Sequence, residues 1–417
     1  MRAIFFLLVS TALLYAQTYD LLLKGAHVID PKNSISKPLD VAIKDGKIAR
    51  VAESIPASEA GRVADVSGLY VSPGLIDLHV HVYTKPGLPG LVGDSSVHPD
   101  SFSFRSGVTT MVDAGTAGWR NFPDFRDRII DRSKTRVLVL LNIVGGGMGP
   151  DGEDNPEDMD PEQAAKMAKA HPDVIVGYKT AHYNGKGWES IESAVKAAEL
   201  TGLPVMVDFG YINEVRNINT LFLDKLRPGD IYTHCYSGHR DEVVDGKLNP
   251  AMVAGRKRGI IFDVGHGGGS FYWNVAVPAF DEKFWPDSIS TDLHTGSMNA
   301  GMKDQINVMS KILNLGVPLD EVIRMSTWNP AKEIKRPQLG NLDVGAEADV
   351  TVVGLEKGKF GFVDSAGARR DGTQRLVPEL TIRKGQVVWD LNGRSTVDWK
   401  EFKYRKRERP APTRQTQ

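Results

Sequence analysis

Cysteine is almost absent from this 417-residue chain: Cys235 stands alone. No intrachain disulfide is possible, so stability has to come from a core large enough to need no staples. An excess of one charge is missing too. Lys and Arg total 51 against 52 Asp and Glu, which excludes the basic footprint of a nucleic-acid binder and the acidic character of a disordered solvating chain. Beyond the first residues no apolar run approaches the roughly 20 residues that span a bilayer. Two glycine-rich stretches, Gly145-Gly-Gly-Met-Gly149 and Gly265-His-Gly-Gly-Gly-Ser270, lack a following Gly-Lys-Ser/Thr, so neither is a phosphate loop. What remains is ordinary globular composition, 41% hydrophobic and 25% charged, in a length suited to one large domain with an annex or to two or three smaller ones.

Residues 1–16 carry a basic residue, Arg2, then a short apolar core, then the small residue Ala16. This is the pattern of a secretory signal peptide, and it predicts an exported protein, periplasmic or secreted, with no stable membrane anchor after cleavage. An uncleaved anchor is the alternative. The opposite end, residues 401–417, is basic and contains proline; it reads as a disordered tail, with docking as a second option.

Between these ends the texture changes twice. Residues 17–72 alternate like strands, around Lys24-Gly25 and around Asp45-Gly46, the latter a strong hairpin signal. The same texture returns over 335–400. The middle, 73–334, alternates short apolar strands with amphipathic helical patterns. The strands fall at 71–82, 108–113, 136–144, 174–179, 203–208, 230–234, 259–264 and 289–292, with helical stretches such as 189–200 and 302–315 between them. Eight strands alternating with helices over roughly 250 residues predict an α/β fold, a (β/α)8 barrel, whose chemistry lies at the C-terminal ends of the strands.

The residues at those ends carry the functional signal. His79 and His81 are two apart on one strand, so they project together and suit a divalent metal. Strand four ends in Lys179, behind an apolar run where a cation is costly to bury. Either this lysine snorkels to water, or its neutral amine takes up carbon dioxide and becomes an anionic carbamate able to bridge two metals. Strand six ends in His234. Strand eight ends in Asp292, which is either a helix N-cap or a metal ligand that also takes the proton from water. His266 and His294 are secondary candidates for contact with substrate, and the loop carrying His266 allows close backbone approach; an incidental histidine is the other reading of His266. The loop at 145–149 reads as a mobile cover over the barrel mouth.

Taken together, Ser72-Pro-Gly-Leu-Ile-Asp-Leu-His-Val-His81, Val112-Asp-Ala-Gly-Thr-Ala-Gly118, Gly177-Tyr-Lys179, Thr233-His-Cys235, Asp263-Val-Gly-His-Gly-Gly-Gly-Ser-Phe271 and Ser290-Thr-Asp-Leu-His294 resemble the amidohydrolase superfamily. Within it the chain is similar to deacetylase-type, dihydroorotase-like metallohydrolases, over nearly everything after the leader. The resemblance implies two divalent metals, usually zinc, with His79 and His81 on one, carboxylated Lys179 as bridge and His234 on the other. Asp292 would be both ligand and proton shuttle. It also implies that the two β-rich ends form one small β-sandwich beside the barrel.

The chain departs from the family habit at strand five, where a histidine is usual and Asp208 stands instead. Three readings stay open: Asp208 ligates the second metal, the second metal is lost, or His182 moves in. An anionic ligand would lower the Lewis acidity of that metal and favour a harder ion such as manganese. The activity implied is hydrolysis of an amide or ester bond in a small N-acyl or O-acyl compound. One alternative is a cyclic amide hydrolase of the hydantoinase kind; Tyr83, standing where dihydroorotases carry a substrate-gripping arginine, counts against dihydroorotase itself and is a candidate for contact with substrate. Another alternative is a non-catalytic metal- or ligand-binding relative. A homo-oligomer is left open.

Overall fold

The computed structural model describes residues 18–85, 96–149, 153–210 and 212–405. The expected leader, and the tail from residue 406, lie outside the described residues. Among the described residues no helix is long and apolar enough to cross a membrane.

Seven parallel strands form the central sheet, in the order in which they occur in the chain: Leu75–Val80, Val108–Gly118, Arg136–Asn142, Ile175–Thr180, Val205–Val207, Ile231–Tyr232 and Ile261–Phe262. The first three are buried nearly throughout, as expected of strands covered on both faces. Helices such as Pro161–Ala170 and Glu189–Thr201 fill the crossovers and present alanine- and isoleucine-lined faces to the sheet. Gly202, at φ 70°, ends the second of these, a left-handed C-cap that glycine adopts without steric cost.

The eighth expected strand does not form a ladder. Residues 288–293 run irregularly and make single parallel bridges to both edges of the sheet, Asp263 to Ser288 and Val80 to Leu293. Backbone bonds from Leu293 N to His79 O (3.2 Å) and from His81 N to Leu293 O (2.9 Å) hold this segment against the first strand. The sheet is therefore curled, with one irregular segment spanning its edges.

Expectation and structure differ at several joints. The single strand expected over 71–82 is two. Tyr70–Pro73 belongs to a different sheet, and the central strand starts at Leu75. The break is Gly74, which packs so tightly on Thr109 that a Cβ would lie 2.2 Å from its Oγ1. The turn expected at Lys24-Gly25 is instead an irregularity inside one long strand, Leu21–Asp30, with Gly25 at φ 83°. The hairpin at Asp45-Gly46 is present, and both residues have positive φ (50° and 75°), the mirror-image turn that matches strand twist.

The β-rich ends of the chain do join. Val350–Val363 runs antiparallel to Tyr70–Pro73, which in turn pairs with Leu21–Asp30. The result is one eight-stranded sheet with strands from both ends, packed over a core of Leu21, Leu23, Val41, Val71, Val352 and Ile382. Among the described residues the ladders link these strands into one sheet. Arg136 at the base of the third central strand ties the two bodies together through Asp349 (2.6 Å) and Glu347.

Candidate metal centre and active site

The C-terminal ends of the first, fourth, fifth and sixth strands, together with the irregular eighth segment, bring His79, His81, Lys179, Asp208, His234 and Asp292 to one end of the curled sheet. All six are buried or nearly so. One ligand atom each from His79, His234 and Asp292 lie within 4.8 Å of one another. Asp292 Oδ1 is 3.0 Å from His81 Nε2 and 3.5 Å from His79 Nε2. Lys179 Nζ is 2.9 Å from His79 Nε2.

Each histidine is oriented from behind. His79 Nδ1 meets Thr233 Oγ1 at 3.0 Å, and His81 Nδ1 meets Thr116 Oγ1 at 2.9 Å. His234 Nδ1 pairs with the carbonyl of Gly265, which fixes a hydrogen on Nδ1, and Nε2 faces Asp208 Oδ2 at 3.4 Å. This is the support that metal-ligating imidazoles need. Deeper carboxylates brace the frame: Asp263 accepts from Thr233, Ser288 and Ser290, and Asp77 from Thr291. Burial pushes Asp77 up to about 7.

The backbone is strained where it turns into the site. His234 (φ 62°), Asp292 (φ 51°) and His182 (φ 50°) sit in the left-handed region, which bulky residues occupy only when the surroundings hold them there. Two glycines make the approach possible. A Cβ on Gly267 would lie 2.6 Å from Asp292 Oδ2, and one on Gly265 would lie 2.2 Å from Thr233 Oγ1.

Charge follows from burial and partners. Burial, then the nearby Lys179, hold His79 well below its ordinary value. Burial likewise lowers Lys179 and so favours the neutral amine. For Asp292 burial acts upward, but its contacts with His79 and His81 outweigh it and hold the carboxyl below the ordinary range.

Asp208 occupies the second half of the site. Its Oδ2 lies 3.4 Å from His234 Nε2 and 3.3 Å from His182 Nε2, while Oδ1 accepts from Arg240 Nη2 at 2.6 Å. His182 also bonds Glu153 through Nδ1 at 3.0 Å, and this bond, with the charge of Asp208, pushes it up to about 9. In this arrangement His182 is a cationic neighbour of Asp208. Arg240 and Glu153 were not singled out from the sequence; nothing in local spacing marks them, since both come from loops.

Three secondary candidates fall in different surroundings. His294 caps the short helix Thr295–Asn299, with Nε2 3.8 Å from Asp292 Oδ2 and its side chain 24% exposed, at the open side of the site. His266 is fully buried, with Nδ1 against Gly267 O (3.0 Å), Nε2 against Lys311 Nζ (2.7 Å) and its ring stacked on Phe271. Its two nitrogens are thus engaged by protein, because the glycine loop turns its backbone, and not this side chain, toward Asp292. Tyr83 is buried as well, stacked on Phe125 with its hydroxyl donating to Asp124 at 2.7 Å. The expected mobile loop at 145–149 is held by Met148 N to Gly115 O (3.1 Å), Lys85 Nζ to Gly146 O (2.9 Å) and Gly145 N to Asp158 O (3.0 Å).

Known proteins resemble this chain in sequence and in fold. Residues 276–388 match the pattern of the amidohydrolase family. The chain is 35% identical to a deacetylase of Brucella anthropi over 335 residues, covering 78% of this chain and 81% of that protein. It is 31% identical to a deacetylase of Enterococcus faecalis, covering 88% and 99%. A crystal structure described as an adenine deaminase superposes with a TM-score of 0.81 at 30% identity, covering 89% of this chain and all of that one. The chain belongs to the amidohydrolase superfamily. It is an enzyme of that class, a hydrolase of C–N bonds.

Proposed function

We propose that this protein hydrolyses the amide or ester bond of a small N-acyl or O-acyl compound at a centre of two divalent metals, zinc or manganese. The observation that carries the reading is the convergence of His79, His81, His234, Lys179 and Asp292, with the Nδ1 of every histidine tied from behind so that Nε2 faces inward. That donor set suits zinc or a similar ion. His79 and His81 would hold one ion and His234 and Asp208 the other, with Lys179, carboxylated by carbon dioxide, between them. When bound, the ions supply Lewis acidity toward the scissile carbonyl and toward water.

The remaining work belongs to side chains. Asp292, kept ionised by its histidine neighbours, accepts the proton of the attacking water and passes it to the leaving group. His294, at the open side, donates to a substrate oxygen. The deacetylase names of the relatives favour acyl substrates, and the leader read at residues 1–16 points to substrates met outside the cytoplasm. The test is metal analysis of the purified protein together with a screen of acyl-amino acids, acyl-hydroxy acids, dipeptides and cyclic imides. Release of acid from an acyl compound, abolished by a chelator and restored by zinc, is expected. Turnover confined to cyclic imides overturns the acyl assignment, and full activity in metal-free protein overturns the metal centre.

A further inference from the structure

The carboxylate at position 208 brings a negative charge to a place where the family habit is a neutral ring, and the structure answers that charge. Arg240 is 7% exposed in its side chain and Asp208 5%, and their contact is 2.6 Å. The guanidinium is fixed by the loops that carry the site: Nε donates to Gly210 O at 3.0 Å and Nη1 to Ser237 Oγ at 3.3 Å. Only Oδ1 of Asp208 is taken by Arg240; Oδ2 faces His234 and His182.

Two other carboxylates lie near, and each has its own partners. Glu153 faces His182 Nδ1 at 3.0 Å. Glu242 accepts from Ser237 Oγ (2.6 Å), Tyr232 Oη (3.1 Å) and the backbone N–H of Arg240 (3.1 Å). The guanidinium of Arg240 is therefore the permanent charge that meets Asp208, at Oδ1, while His182 meets Oδ2 with a charge that can titrate.

We propose that Asp208 and Arg240 act as one unit that stands in for a neutral imidazole, Oδ2 supplying the donor to the metal centre and the guanidinium cancelling the charge that the carboxylate adds. The inference rests on the two-metal reading above. Its physical content is that neither member can be exchanged alone, because removing one side of a buried ion pair leaves the other uncompensated. Asp208→His by itself leaves a bare guanidinium beside a dication. Arg240→Met by itself leaves the carboxylate without its permanent partner, with His182 and a metal to answer its charge. Exchanging both replaces a neutral pair with a neutral ring.

The experiment uses the full chain in four forms: wild type, D208H, R240M and the double variant D208H/R240M. Each is stripped with a chelator and titrated with zinc, reading stoichiometry and affinity by equilibrium dialysis and Tm with and without the metal. The wild type is expected to bind two equivalents. D208H is expected to bind the second about tenfold or more weakly, and the double variant to recover it. R240M is expected to have a lower metal-free Tm and a larger gain on adding zinc than wild type. If R240M does not fold, D208H against the double variant carries the test.

The inference is overturned if D208H binds its second zinc as tightly as the double variant does, or if D208H folds and the double variant does not. It is also overturned if R240M gains no more from zinc than wild type and shows only a raised KM, which makes Arg240 a substrate-binding group. A wild type that binds fewer than two equivalents overturns the two-metal reading itself, a result distinct from additivity in the cycle.

Discussion

The two halves of this site are built on different physics. Around His79 and His81 the supports are neutral: hydroxyls of Thr116 and Thr233 hold the rings, and Asp292 is the anion they surround. Around Asp208 the supports are charged: Arg240 at 2.6 Å and His182 at 3.3 Å. Neutral hydrogen bonds orient a ligand without changing its charge. Charged partners set the charge as well as the position, so the second half tolerates single exchanges less well. One curled sheet thus positions both halves, while loops decide their electrostatics.

The largest effect should come from Lys179, which the proposed two-metal centre sets between the halves. Lys179→Ala is expected to lower kcat/KM by about three orders of magnitude or more, with partial recovery on adding short carboxylic acids. Steady-state kinetics with and without formate would show it; a fully active variant would sever the link between the two halves.

Next is the neutral half. Asp292→Asn keeps the shape and removes the basic oxygen, so kcat should fall by about two to four orders of magnitude while circular dichroism stays unchanged. Near-normal turnover would mean that another group moves the proton.

A smaller loss should follow Gly267→Ala. The new Cβ would sit 2.6 Å from Asp292 Oδ2, at a φ of +56°. Displacing that carboxylate by a fraction of an ångström is expected to cost roughly 10- to 100-fold in kcat. An unchanged kcat would show that the glycine loop does not set the position of Asp292.

The smallest effect is on stability. Lys311, which reaches His266 behind the same loop, is pushed down by burial from 10.5 to about 7. Between these two values the unfolded chain holds a proton that the folded chain has lost, so stability rises with pH across this window, by up to about 1.4 kcal/mol per unit. Below about 7 both states are protonated and the contribution to the slope vanishes. Urea melts from pH 7 to 10 should show this slope in wild type and lose it in Lys311→Met. Equal slopes would mean that Lys311 stays charged in the fold.

Much of this architecture could be read from residue order. The alternation of apolar strands with amphipathic helices between 73 and 334 is a local pattern, as is the spacing of His79 and His81, whose rings lie 5.5 Å apart although the strand ends at Val80. Glu189–Thr201 falls within a residue of its expected 189–200, because periodicity is local, whereas the helix expected over 302–315 forms only over Gln305–Asn314. The split at Gly74 escaped because it depends on Thr109 pressing from the next strand. The burial of Tyr83 and His266 escaped because a residue's partners on other elements are not written beside it: Phe125 and Asp124 for one, Lys311 and Phe271 for the other.

The sequence by itself determined the class of fold, the order of the candidate ligands and the family, since each depends on residue type and spacing along the chain. Only tertiary structure decided that an irregular segment, and not an eighth ladder strand, delivers Asp292, that strands from both ends of the chain share one sheet, and that Asp208 is met by Arg240 from 32 residues away. The physical reason is the same in each case. Pairing across a sheet edge and compensation of a buried charge act through space at a few ångströms, and spacing along the chain does not encode that distance.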